Sequence, residues 1–148
     1  MEIENITEED YLSILPKYQK EIITELISSY GIEGAVDKWL ESNGPEYNVQ
    51  FGGIGNENLL LKYKDTIKKE INKFICGHSK LNKIDNTEYN LATKTLHTCI
   101  VNNLSIQIAE LTSISEVVIV PVVVLLLIAA KTIGLNSYCK VAGFPRKN

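Results

Sequence analysis

The chain has 148 residues, 45% of them hydrophobic and 22% charged, with eighteen acids against fifteen bases and a formal charge of −3. That is the length of one ordinary domain, able to bury roughly two thirds of its unfolded surface. Nine glycines and four prolines are too few for a collagen-like or fully disordered chain, and the negative balance disfavours a strongly basic nucleic-acid binder.

The first ten residues hold five acids and no base, unlike the basic start and apolar run of a secretory signal. Thr7 is expected to cap a short helix, with Glu8, Glu9 and Asp10 in the turn that the helix dipole favours for acids. Pro16 ends it and suits the first position of the next helix. Ile22, Ile23, Leu26, Ile27 and Tyr30 then recur at helical spacing up to Gly31, a natural stop. Ile32, Val36, Trp39 and Leu40 give a third short helix, ended by Asn43-Gly44-Pro45. Residues 1–44 therefore read as a small helical N-terminal unit.

Residues 45–58 contain Gly52, Gly53 and Gly55 among other turn formers and read as a loop or hinge. A phosphate cradle is the other reading of glycines ahead of a helix. Here it lacks G-x-G-x-x-G and the Walker lysine, and Glu57 stands where an anion would sit. Asn56 or Asn58 caps the next helix, whose stripe of Leu60, Tyr63, Ile67, Ile71, Phe74 and Ile75 runs to Gly77. After a polar, turn-rich stretch, a long helical pattern starts near Asn86 or Thr87 and keeps its period through Leu96, Ile100, Leu104, Ile108, Leu111 and Ile114.

Ser113-Ile114-Ser115-Glu116 matches a capping box ahead of an apolar run. Val117 to Ala130 is then fourteen residues without a polar side chain, interrupted by Pro121. As a helix the run reaches about 21 Å, short of a hydrocarbon core of about 30 Å, which favours a buried core helix. Extension to Leu135 would allow a membrane span if Lys131 snorkels. A strand suits the valines, but Pro121 would break its ladder and only Val49-Gln50-Phe51 offers a partner. The main helices thus span 59–136, followed by a basic tail over 137–148.

Charge is uneven along the chain. Residues 1–116 carry every acid and sum to −7, whereas Lys131, Lys140, Arg146 and Lys147 bring residues 117–148 to +4. Such asymmetry points to docking, onto an acidic partner, an anionic membrane or the chain's own acidic start. The three cysteines, odd in number and widely spaced, fit a reducing cytoplasm better than a disulfide framework. Fourteen lysines against one arginine, with many Ile and Asn, suggest an AT-rich, bacterial source.

Candidate chemistry is sparse. Cys76 and His78, with His97 and Cys99, are residue types that zinc uses, but positions two apart on a helix diverge by about 200°. Core packing for Cys99 and surface or capping roles for the histidines are the simpler assignment, and a Cys–His nucleophile has no third group to orient it. Lysines over 60–84 make a locally basic stretch that lacks interleaved arginines and aromatics, so a solvated face is favoured over a nucleic-acid groove. No catalytic set, metal or cofactor is assigned.

The expected architecture is a mostly α, compact single-domain bundle of five or six helices around a very apolar C-terminal helix. The expected role is non-enzymatic and intracellular, binding a protein partner or a second copy, as in a bacterial complex or a toxin–antidote or defence system. Its interface would be Val117, Val120, Val124, Ile128, Lys131, Lys140, Arg146 and Lys147, wherever the bundle leaves the apolar segment uncovered. Membrane insertion of 117–135, with the basic tail at the headgroups, is the alternative.

Overall fold

The computed structural model describes residues 6–43, 56–78 and 96–145. Among them are six helices and no strand: α1 (Glu8–Leu12), α2 (Lys17–Asn43), α3 (Asn56–Ile75), α4 (Leu96–Thr112), α5 (Glu116–Ile133) and α6 (Leu135–Ala142). The glycine loop and the pattern near 86–95 lie outside the described residues, as do Arg146 and Lys147.

Helix α5 is the axis of the bundle. It packs chiefly against α2 and α4, and α1, α3 and α6 close the remaining sides. Every residue from Pro121 to Ala130 is buried, which is what a helix apolar on all faces requires. The N-terminal helices share this core: Tyr11, Ile23, Val36 and Leu40 join Ile67, Leu104 and Leu125 in one cluster. The expectation of an α-helical bundle with a buried apolar helix therefore holds, and the strand alternative for 117–124 falls.

Local chemistry explains most boundaries. Thr7 caps α1 through a full capping box: its hydroxyl accepts from the Asp10 N–H, and the Asp10 carboxylate accepts from the Thr7 N–H. Gly31, at φ 76° and ψ 174°, breaks α2 into two helical arms where the sequence placed a stop. That conformation is open to glycine and strained for other residues. After α6, Gly143 is left-handed, and its N–H and that of Phe144 return to the Lys140 and Cys139 carbonyls.

Two expectations need correction. The Ser113–Glu116 capping box does not form: Ser115 is the N-cap of α5 without a side-chain cap bond, and Ser113 sits at φ 60°. Ser113 is spent on turning the chain out of α4, so it cannot also open α5. The supposed tail from 137 is helical as far as Ala142, because Leu135, Tyr138, Cys139 and Ala142 fall at i, i+3, i+4 and i+7 and face the core.

Pro121 lies inside α5 and has no N–H to offer the carbonyl four residues earlier. That carbonyl belongs to Val117, and it accepts instead from Nε2 of Gln19 on α2, at 3.3 Å. One residue on, the Val118 carbonyl accepts from Nε1 of Trp39 at 2.8 Å. Gln19 is only 3% exposed, so its amide has little water to fall back on. Gln19→Leu is expected to destabilise the fold by about 1 kcal/mol, the net worth of a part-buried hydrogen bond. In a Pro121→Ala background the same change should cost less, because an alanine at that position restores the helical N–H. A double-mutant cycle by chemical denaturation measures the difference, and equal costs in both backgrounds would contradict the pairing.

Two tyrosines are sealed into the bundle. Burial pushes the Tyr11 and Tyr138 hydroxyls well above the ordinary tyrosine range, and the charge of Glu33 adds to the shift at Tyr138. The Tyr138 hydroxyl donates to Oδ1 of Asn72 on α3. A raised folded-state value means the unfolded chain loses these protons first. Their stabilisation is thus complete below about pH 10 and falls as pH rises beyond it. In a phenolate absorbance titration, these two groups are expected to ionise only together with unfolding.

Candidate functional site

The sequence placed an interface along the valine-rich segment, and the structure divides that set. Val124 and Ile128 have no exposed surface and are core residues of this chain, so they cannot meet a partner while the bundle is closed. Val120 and Lys131 are half-buried, and Val117 and Lys140 are exposed. The correction has a simple cause: five helices suffice to sheathe α5 along its middle but not at its ends.

Ile133, its last residue, is 52% exposed, and the start of α5 is uncovered as well. Val117 is 58% exposed, and near it Leu111 is 54%, Tyr18 60% and Ile22 44% exposed. The Gln19–Val117 bond brings the start of α2 to the start of α5, and the short turn from α4 brings Leu111 to the same end of the bundle. Exposed apolar side chains are common singly; several large ones at one end form a patch of the kind found in interfaces. Leu111 and Ile22 were read only as stripe positions. Leu111, seven residues after Leu104 and three after Ile108, shares their stripe but falls in the last turn of α4, a distinction that apolar period alone does not draw.

The cysteine–histidine group does not assemble as a metal centre. Cys76, at the end of α3, is bonded to Cys139 of α6, with Cα atoms 5.7 Å apart. A disulfide sulfur is not the thiolate that zinc takes. The imidazole of His78 bonds to the Pro145 carbonyl and tilts against the Phe144 ring, so it holds the chain after α6. Cys99 is a free, half-buried thiol on α4, and the side chain of His97 lies outside the described residues. Among the described residues no group of three or more His, Cys, Asp or Glu could hold a metal ion. The bridge also removes the ground on which cysteine spacing pointed to a reducing compartment, since a pair 63 residues apart is joined in space.

The lysine-rich face of α3 is largely committed within the molecule. Lys64 pairs with Glu41 at 3.2 Å and Lys68 with Asp37 at 2.6 Å, both across to α2, and Lys73 pairs with Glu70 on its own helix. These pairs fix α3 against α2 and leave fewer cations for phosphates than the sequence displays. Lys80 and Lys83 lie outside the described residues.

A cleft of about 240 Å³ opens between α2, α3, α5 and α6, with Glu33, Lys68, Asn72 and Tyr138 on its walls and Ile133 and Val141 among its apolar lining. Three of its polar groups are already engaged, Lys68 with Asp37 and Asn72 with Tyr138. Helix α5 is long and apolar enough to cross a membrane, with a mean hydropathy of 2.4 over eighteen residues, although 61% of them are buried within the bundle. Comparison of the chain with protein families, curated proteins and solved structures gives no match.

Proposed function

We propose that this protein acts by binding another protein chain, a different one or a second copy, through the apolar end of the bundle where Val117 emerges. The carrying observation is the group of large side chains left uncovered there, Tyr18, Ile22, Leu111 and Val117. Desolvating such a patch is favourable at about 25 cal/mol per Å² of apolar surface, and no reacting group is needed for it to work. The reading keeps the protein non-enzymatic and is compatible with a part in a bacterial complex or a toxin–antidote or defence pair. Lys131 and Lys140, toward the far end of α5, would lie outside the contact.

A second reading has one specific support. At eighteen residues α5 extends about 27 Å, close to a hydrocarbon core, and its composition suits lipid. Insertion would require it to exchange α2 and α4 for acyl chains.

Photocrosslinking separates the two. A benzophenone amino acid at position 117, 111 or, as a control, 140 is irradiated in cells that express the full chain. Protein interaction predicts a discrete protein adduct from 117 and 111 and none from 140. Lipid adducts from 117, or no adduct above the level at 140, would contradict the proposal.

A further inference from the structure

The surroundings of the apolar end identify the chemistry of what it binds. On α2, Tyr18, Glu21, Ile22 and Glu25 are spaced i, i+3, i+4 and i+7 and so share one exposed face, in which two aromatic or aliphatic groups alternate with two carboxylates. Glu110 precedes Leu111 at the end of α4, and Glu116 precedes Val117 at the start of α5; both acids are exposed. Helix α1 adds Glu8 and Glu9 and packs against α4 and α5. Among the described residues the cations at this end are Lys17 and Lys20, and Lys20 is already paired with Glu9. The apolar side chains at this end are thus accompanied by carboxylates that outnumber the cations beside them.

That arrangement selects among partners. An anionic lipid surface or a nucleic acid would bring its own negative charge against these carboxylates. A second copy docking by the same end would oppose acid to acid, because a two-fold contact sets each patch against itself. What fits is a segment that buries a few large apolar side chains on the patch while Lys or Arg residues at their flanks reach the carboxylates. We infer that the apolar end around Val117 and Leu111 is a docking site for a basic amphipathic segment of another protein. This rests on the interaction reading above and adds the sign of the partner.

The probe is a synthetic eighteen-residue Leu/Lys amphipathic helix with a fluorescent label, compared with its Leu/Glu counterpart by anisotropy against the oxidised full chain. The Leu/Lys peptide is expected to bind at least about tenfold more tightly than the Leu/Glu peptide, and to weaken about tenfold between 50 and 300 mM salt. Two surface variants divide the contribution: Glu21→Lys with Glu110→Lys removes charge, and Leu111→Ser with Val117→Ser removes apolar contact. Each is expected to weaken the Leu/Lys complex about tenfold while leaving the thermal melt unchanged.

Equal binding of both peptides, lost in the serine variant, would overturn the charge assignment while leaving protein interaction standing. Binding that survives the serine variant would be diffuse charge attraction and would overturn the site. Failure of both peptides to bind, or tighter association with phosphatidylglycerol–phosphatidylcholine vesicles than with the Leu/Lys peptide, would also overturn it. The crosslinking at position 117 reports independently on whether any protein docks there.

Discussion

Reducing the Cys76–Cys139 bridge is expected to lower the stability of the folded protein by about 4 kcal/mol. The bridge closes a loop spanning 63 positions in sequence, and fixing such a loop in the unfolded chain removes close to that much conformational freedom. It also fastens α6, a helix of only eight residues that is too short to hold its shape unaided. Tyr138 and Cys139 anchor that helix on the core, so an unfastened α6 would expose Tyr138 and loosen its bond to Asn72.

Cys76→Ser with Cys139→Ser, or the wild type in excess dithiothreitol, should therefore melt about 10–15 °C lower than the oxidised chain. The Cys99→Ser chain should not. Thiol titration of the denatured, unreduced wild type is expected to count one reactive sulfur, that of Cys99. Three reactive sulfurs, or a melt that shifts by less than about 2 °C on reduction, would contradict the bridge. A fold with this much of its stability in one disulfide is firmest where thiols are oxidised.

Val124→Asp is expected to abolish the native fold, with a loss above about 4 kcal/mol. Val124 has no accessible surface and stands in the run Pro121–Ala130, where every residue is buried. A carboxylate there has no described cation beside it and must either stay charged in an apolar interior or take up a proton against its ordinary preference. Both routes cost more than an ordinary domain can spare. The comparison that gives the result meaning is Val117→Asp on the same helix. With 58% of its surface exposed, Val117 should tolerate the change within about 1 kcal/mol. Loss of helical circular dichroism in the first variant and retention in the second would place the boundary between core and surface within seven residues. A folded, monodisperse Val124→Asp protein would show that α5 is not enclosed as described.

Much of this architecture was legible in the residues. The stop at Gly31, the cap at Thr7 and the apolar stripe ending at Gly77 follow from local chemistry, which acts within a turn or two and so is written locally. The fourteen-residue apolar run announced a helix that needs neighbours on all sides, and α2 and α4 supply the two largest of them. What escaped was whatever depends on contacts between distant parts of the chain. Cys76 and Cys139 lie 63 positions apart, and no spacing rule pairs them. Trp39 was legible as part of the apolar side of a short helix, but its donation to the Val118 carbonyl was not. Nor could Gln19 be identified as the donor that compensates Pro121, because a glutamine in a helix of mixed polarity carries no mark of burial.

The interface residues illustrate the same limit. Val117, Val120, Val124 and Ile128 are all β-branched and apolar, yet one is exposed, one half-buried and two are core. Only the placement of α2 and α4 decides which is which. Leu111 gave the opposite error: it kept helical period with core positions and ended outside. A signal existed, since Glu110 and Leu111 fall in the last turn of α4, where a helix leaves its neighbours before the chain reverses.

The whole architecture depends on α5 being sheathed by this chain's own helices. Amide hydrogen exchange of the oxidised protein, in detergent-free buffer without lipid, tests it most directly. The amides from Val122 to Ala130 are expected to be among the slowest in the molecule, opening only with global unfolding, with protection falling toward Val117 and Ile133. Exchange of the 122–130 amides at rates near those of Val117, or protection that appears only once vesicles or detergent are added, would show that the apolar helix finds its shelter elsewhere.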